Sequence, residues 1–420
     1  MLKTSSLEEN LRAVVGPTNL RVASAADAVS GVLPQFVAEP DNEKQLAAAL
    51  SVANEAGIAV GPRGGGTKLD WGNPPKNARL ILSTARLNRI VEHAWADLTV
   101  TVEAGCTLQS LQQTLAQHGQ RLAFDGLWPE RATIGGVLST NDSGSLRLRF
   151  GALRDLIIGV TIALPDGTLA SSGGKVVKNV AGYDLPKLVT GAFGTLGIIT
   201  RAVFRLHPLP RVTKSFSFTA ENALVVQNHI LAIQDSQLAH TALQIRCATG
   251  EPPAADILFE ATDAGLAAQE SHLRKLLGST RVELSSENVW NARQNLWGSP
   301  NNTTLLAKIS LLPTNAAKTL DSLHSIGDTR KVNWQVVLQA TGIGMLRLEA
   351  DPPQLSAAVE LLRGELRSRG GVFVVLRRPA ELLTIDVWGD AGDSVPLMRA
   401  VKNQLDSKNT LNPGRFVGGI

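Results

Sequence analysis

The sequence predicts an α+β protein of two domains, and three observations carry the expectation. At 420 residues the chain exceeds the length at which one core usually keeps growing. Its 38 glycines and its 4% of aromatic residues describe many tight turns rather than a helical bundle. After Pro208 and Pro210 the pattern changes from short strands separated by glycine loops to longer strands alternating with amphipathic helices.

Taken in order, residues 35–38 read as a strand. Asp41 then caps a helix with Leu46, Leu50 and Ala53 on its apolar face and Gly57 as its stop, and 58–60 is the strand that follows. A β-α-β unit of this kind commonly presents ligands at the carboxyl ends of its strands. At that end stands Gly61-Pro62-Arg63-Gly64-Gly65-Gly66-Thr67-Lys68. Three bare glycines let successive amides converge on an anion, and Arg63, Thr67 and Lys68 add charge and hydroxyl donors. The loop is not a P-loop, because Thr precedes Lys, and it lacks the Rossmann glycine spacing. Both of those motifs open a helix, whereas Leu69-Asp70-Trp71-Gly72-Asn73-Pro74-Pro75 cannot form one. Taken alone, the triple glycine fits an ordinary turn as well as a pyrophosphate cradle.

Strands are expected at 80–83 and 99–102 and a helix at 108–118 closed by Gly119. A second small-residue run, 132–144, again alternates glycine with hydroxyls; one such run is usually a turn, but a second in the same domain favours a long polyphosphate-bearing ligand. A strand at 157–164 ends in the turn Pro165-Asp166-Gly167. A third glycine group, 191–200, runs into a strand at 202–206, and the segment 178–184 holds the only tyrosine, Tyr183. Past Pro210, strands at 257–261, 305–311, 334–338 and 344–350 alternate with helices at 265–277, 315–323 and 355–368, with no evident internal repeat. The chain closes with a strand at 382–387, a helix at 396–405 and the loop 411–416.

Several classes are excluded. A net charge of +4 with no Lys/Arg cluster interleaved with aromatics argues against nucleic acid. Two cysteines, Cys106 and Cys247, cannot make a disulfide scaffold, a four-thiolate iron–sulfur cluster or a cysteine zinc site. Residues 1–15 lack the pattern of a signal peptide, and no apolar run approaches the ~20 residues of a membrane span. The expectation is a cytoplasmic protein, able to sit at the inner face of the cell membrane through a partner.

The three glycine groups, in this order and spacing, resemble the vanillyl-alcohol-oxidase, or PCMH-type, FAD-binding family from about residue 32 to 210. The resemblance implies a two-part FAD-binding domain at 32–210 after an N-terminal segment 1–31. It also implies an α+β (ferredoxin-like) cap at 211–378 and a C-terminal segment, 379–420, returning to the flavin. It implies that Arg63, Gly64, Gly65, Gly66, Thr67 and Lys68 hold the FAD pyrophosphate. Thr133, Ile134, Gly135 and Gly136, with Asn141, Ser143 and Gly144, would line the flavin and its ribityl chain. Gly197, Ile198 and Ile199 would offer backbone to the cofactor. The tail Asn412-Pro413-Gly414-Arg415 resembles that of the D-2-hydroxyacid dehydrogenase branch, and within it the runs 178–200 and 412–416 are similar to the FAD-binding subunits of bacterial glycolate oxidases. Histidine is the usual covalent anchor of this fold, and none of the seven (His93, His118, His207, His229, His240, His272, His324) lies in a glycine loop, so the FAD is expected to be noncovalent. Cys106 is expected to be a small half-buried residue. Tyr183 fits either a packed ring or a flavin-side role.

Departures from the family carry equal information. Its metal-binding segment, G-H-x-G-D-G-N-x-H, corresponds to 340–347 here, where both histidines and the aspartate are gone. Its second catalytic segment, ending in Glu-His, corresponds to 370–377, where Leu376 and Arg377 occupy those places. A metal needs imidazole or carboxylate donors and the chemistry needs a base, so no metal site is expected and no catalytic residue is assigned. The resemblance therefore implies a subunit of a glycolate oxidase complex, working with a second flavin subunit and an iron–sulfur subunit. The alternatives are an autonomous D-2-hydroxyacid dehydrogenase clamping a carboxylate with Arg347 or Arg377, and a non-catalytic scaffold. Trp290, Arg293 and Lys308 match substrate-domain positions of the family but are expected to be structural.

Overall fold

A computed structural model describes residues 4–175, 183–299 and 301–420. The segment 178–182, part of a run singled out above, lies outside the described residues. Contacts divide the chain into two units: Met1–Ser143 with Gly151–Leu209 and Asp390–Ile420, and Gly144–Phe150 with Pro210–Gly389.

The first unit begins with helix α1 (Thr4–Val15) and a four-stranded sheet of β1 (Leu20–Val22), β2 (Phe36–Ala38), β3 (Val60–Arg63) and β4 (Leu80–Ser83). The order is β1-β2-β4-β3, with β2, β4 and β3 parallel. Helix α2 (Glu43–Glu55) joins β2 to β3, but β4 lies between the two strands. Leu46, Leu50 and Ala53 pack with Leu11, Val60, Leu80 and Leu82. The cap of α2 is Asn42, whose side chain accepts from the Gln45 amide; Asp41 pairs with Arg86 instead, at 2.7 Å. Both residue types cap well, so the sequence did not separate them. Strand β3 starts two residues later than expected and runs through Pro62, which an edge strand tolerates.

A second, antiparallel sheet holds β5 (Ile90–Ala94), β6 (Thr99–Glu103), β8 (Ile157–Ala163), β9 (Leu169–Gly173) and β10 (Ile198–Arg205) in the order β5-β6-β10-β8-β9. Strands β7 (Gln120–Arg121) and β11 (His207–Pro208) pair with each other. Against this sheet lie α3 (Leu108–Ala116), α4 (Ile134–Thr140), α6 (Leu153–Leu156) and α7 (Leu185–Val189). Within the run 132–144, residues Ile134–Thr140 form helix α4 rather than the turn that one such run usually makes. Ile134, Val137 and Leu138 recur at helical spacing and bury in the core with Val102, Val160 and Phe204. Gly135 permits this, since a Cβ there would stand 2.9 Å from that of Ala104. Tyr183 is 90% exposed, so it is not a packed ring.

The second unit contains α5 (Arg147–Phe150), whose Leu148 packs on its core, and one eight-stranded antiparallel sheet. Its first half is β12 (Val212–Thr219), α8 (Ala223–Asp235), β13 (His240–Ala248), β14 (Ala254–Ala261), α9 (Asp263–Leu277) and β15 (Glu283–Ser285). After the short α10 (Ala292–Asn295), the same series returns as β16 (Thr304–Ser310), α11 (Ala316–Arg330), β17 (Asn333–Gln339), β18 (Ile343–Glu349), α12 (Pro352–Ser368) and β19 (Val372–Arg377). The order β15-β12-β14-β13-β17-β18-β16-β19 makes two ferredoxin-like βαββαβ halves joined through β13 and β17. The internal repeat that the sequence hid is therefore topological. One sheet face carries Phe216, Ile257, Leu305 and Val375 into a core with Ile230, Leu273, Leu320 and Leu362 of the helices. The other face carries Ser217, Gln244 and Asp256, linked by hydrogen bonds. Residues 382–387 are not a strand: Ala380–Leu382 is one helical turn, Leu382 and Val387 are buried in the core and Ile385 packs against it half-buried. The chain ends in the first unit with α13 (Val395–Leu405). Among the described residues no helix is long and apolar enough to cross a membrane.

Candidate cofactor site

Strand β3, helix α4, the start of β10 and the C-terminal tail converge on one cleft of the first unit. Its lining includes Arg63, Gly64, Gly65, Gly66, Thr67 and Lys68 from the first glycine group, and Thr133, Gly135 and Gly136 from the second. Gly197, Ile198, Ile199 and Asn412 complete the expected set. Ile134 faces the core, Asn141 ends α4 in a left-handed conformation (φ 45°), and Ser143 is buried; none of them lines the cleft. Gly144 belongs to the second unit. Residues that sequence reasoning passed over are Val29, Thr84, Ser139, Thr140, Phe193 and Arg415. Ser139 and Thr140 lie one helical turn beyond Gly135 and Gly136, a signal available once that run is read as a helix.

The glycines of the cradle play different parts. A Cβ on Gly64 would lie 2.0 Å from Thr133 Oγ1, and one on Gly65 would lie 1.8 Å from the Arg131 carbonyl oxygen. These two are bare so that the loop can press against residues 131–133, a use of the glycines beside the expected phosphate approach. Gly66, at φ +71°, has room for a Cβ, which would meet only Leu69 Cδ1 at 3.8 Å and Arg63 Cδ at 4.0 Å. Among the described residues, the amides of Gly64, Gly65, Gly66 and Thr67 donate to no protein acceptor. Thr133 Oγ1 is buried there with no hydrogen-bond partner. Gly65 and Gly66 are exposed, so water can meet their amides in the open cleft, but the buried Thr133 hydroxyl is costly without a partner, and together they present a row of donors suited to a ligand rich in acceptor oxygens.

The cleft's cations are oriented by acceptors behind them. Arg63 Nη1 donates to Asp27 Oδ1 at 2.8 Å, and Asp27 also takes a bidentate pair from Arg21 at 2.7 Å. Arg21, the Ser24 amide and Arg63 together hold the Asp27 carboxyl far below the usual carboxylate range, against the opposing effect of burial. Lys68 Nζ stands 3.5 Å from Asp142 Oδ2 and between the rings of Trp71 and Trp128, at 5.6 and 5.4 Å. Arg415 is fully buried, donates to the Leu69 and Trp71 carbonyls, and has its pKa pushed down by burial to about 10. Among the described residues lining the cleft, Arg63, Lys68 and Arg415 are cationic and none is acidic. That balance suits a polyphosphate. No histidine or cysteine lines it; Cys106 is fully rather than half buried, and burial raises its thiol pKa.

Residues 34–173 match the family model of the FAD binding domain. This segment, a third of the chain, is similar to FAD binding domains. The chain is 33% identical over 227 residues to the Bacillus subtilis glycolate oxidase subunit GlcD, covering 52% of this chain and 48% of that one. It is 38% identical over 177 residues to an Archaeoglobus fulgidus D-lactate dehydrogenase, covering 42% and 39%. It is 26% identical over 436 residues to a Xanthomonas citri D-2-hydroxyglutarate dehydrogenase, covering 91% and 89%. The matches to the first two thus span about half or less of those relatives' length. Among solved structures, an alkyldihydroxyacetonephosphate synthase superposes with a TM-score of 0.77 at 15% identity, over 99% of this chain and 86% of that one. A p-cresol methylhydroxylase superposes at 0.73 and 18%, over 98% and 96%. The fold is that of the PCMH-type FAD-binding proteins.

The matched segment ends before 340–347 and 370–377, where the resemblance would place a metal site and a base. In the second unit, 340–347 is the turn into β18 and the first part of that strand. Arg347 pairs with Glu349 and donates to the Leu296 carbonyl at 2.7 Å. Arg377 donates to the Trp297 carbonyl and stacks 4.8 Å over its ring, while Leu376 is core. Trp290 Nε1 donates to Ser215 Oγ at 2.9 Å, a structural bond. Among the described residues no group of three or more His, Cys, Asp or Glu side chains is placed to hold a metal ion.

Proposed function

We propose that this chain is the FAD-binding subunit of a glycolate oxidase complex and that it does not oxidise substrate alone. The observation that carries the reading is an asymmetry. The cleft of the first unit offers unpaired amides, a partnerless threonine hydroxyl and three cations, whereas β18 and β19 offer arginines already engaged by Glu349 and by backbone carbonyls. The amides of Gly64, Gly65, Gly66 and Thr67 and the Thr133 hydroxyl would bind the pyrophosphate, with Arg63 aimed by Asp27. Backbone at 197–199 and Asn412 would hold the remainder, noncovalently. FAD, when bound, supplies a two-electron acceptor. The partners are a second flavin subunit and an iron–sulfur subunit; the latter is called for because two cysteines cannot hold a cluster. The likeness to a glycolate oxidase subunit supports the substrate class.

A second reading is an autonomous 2-hydroxyacid dehydrogenase. One observation favours it: Arg347 and Arg377 are both register partners of Leu306, so they share a sheet face and could clamp a carboxylate. Anaerobic addition of glycolate or D-lactate to the FAD-loaded chain separates the two. Flavin that stays oxidised alone and bleaches when the partner subunits are added supports the subunit; bleaching of the chain alone supports the dehydrogenase.

A further inference from the structure

Helix α13 has one buried residue, and it is a lysine. Lys402 is 4% exposed, and its ammonium makes three hydrogen bonds, the full number it can donate. They go to the Thr195 carbonyl at 2.8 Å, to the Leu411 carbonyl at 2.9 Å and to Asp406 Oδ2 at 2.5 Å. Asp406, equally buried, accepts from the amides of Thr410 and Leu411 at 2.9 and 2.8 Å. Each bonded segment leads directly into the cleft. Thr195 follows Phe193 and Gly194, which line it, and Leu411 precedes Asn412, which lines it too. The tail is tied further by Asn412 Nδ2 to the Phe193 carbonyl at 2.6 Å and by its amide to Val60 at 2.9 Å, on the strand that carries the cradle.

A buried ion pair is poor value as a source of stability, since an apolar pair of similar volume commonly does as well. What an apolar pair cannot do is fix two carbonyls from separate segments at one point. We propose that Lys402 and Asp406 are positioning residues of the cofactor site, setting the register of the 193–197 loop and of Asn412 against the cradle before FAD enters. The idea rests on the cleft being the FAD site.

The test uses the full chain stripped of FAD and reconstituted, comparing wild type with Lys402→Met, Lys402→Arg and the double variant Lys402→Met/Asp406→Leu. FAD affinity is read by flavin fluorescence, the flavin environment by visible circular dichroism and the scaffold by the melting temperature of the apoprotein. Lys402→Met is expected to weaken FAD binding by about tenfold, through lost preorganisation, and to change the visible dichroism, with partial recovery in Lys402→Arg. The double variant removes both buried charges but leaves the Thr410 and Leu411 amides and the Thr195 and Leu411 carbonyls without these partners, so it is expected to melt below wild type, above Lys402→Met, and to bind FAD weakly. FAD affinity and dichroism of the wild type in the double variant would overturn the proposal, and if Lys402→Met fails to fold, that comparison alone decides. Wild-type protein that fails to take up FAD would overturn the underlying site assignment instead.

Discussion

Thr133→Val is expected to move the apoprotein and the holoprotein in opposite directions. The hydroxyl Oγ1 of Thr133 is buried without a partner, in a residue 4% exposed, so the apoprotein bears its desolvation uncompensated. Removing such a group while keeping the side chain's shape relieves about 1–3 kcal/mol. For a unit of this size that corresponds to roughly 2–4 °C in melting temperature per kcal/mol. In the holoprotein the hydroxyl gains a partner worth about 0.5–1.5 kcal/mol net, so with the relief of the apoprotein added its loss should weaken FAD binding by about 1.5–4.5 kcal/mol, or ~13- to 2000-fold. Scanning calorimetry of apoprotein and FAD-loaded protein, with titration calorimetry for the affinity, reads both halves. An apoprotein less stable than wild type together with unchanged FAD affinity would refute the argument that this hydroxyl awaits a ligand.

Other outcomes follow from the same geometry. Gly65→Ala places a Cβ 1.8 Å from the Arg131 carbonyl, so it should destabilise the apoprotein by about 1–3 kcal/mol in chemical denaturation; Gly66→Ala, whose Cβ would meet nothing closer than 3.8 Å but sits at φ +71°, should cost about 1–2 kcal/mol from backbone strain alone. Asp27→Asn frees Arg63 and should lower FAD affinity in fluorescence titration. Because the folded-state pKa of Asp27 is depressed, its contribution is present above the ordinary carboxylate range and is lost as the pH falls through the folded value, so the variant's stability should change less between neutral and acid pH than wild type's. Arg415→Met leaves the Leu69 and Trp71 carbonyls without their donor and should lower stability by about 1–3 kcal/mol in urea melts.

The parts of the site written in backbone geometry were legible in the sequence, because a loop that needs bare amides or a close approach must write glycine. Residues 64–66, 135–136 and 197 all reach the cleft for that reason. The same glycines disguised α4, whose apolar residues had to be counted at helical spacing before its hydroxyl face at Ser139 and Thr140 came into view. Contacts between distant residues left no local signal: nothing near Arg63 points to Asp27, and nothing near Lys402 points to Thr195. The duplicated half of the second unit was hidden for a related cause, since α8 and α11 share a place in the topology but little sequence. The expected strand at 382–387 failed because Leu382 and Val387 meet the core from a turn, which an apolar pattern alone does not distinguish from a strand.

The measurement closest to the central claim is acid precipitation of the purified chain after saturation with FAD and removal of the excess. The account predicts a yellow protein that carries a single FAD and releases all of it to the supernatant, since the cleft offers amides, hydroxyls and cations but no covalent anchor. A colourless protein, or flavin that stays in the pellet, would contradict it.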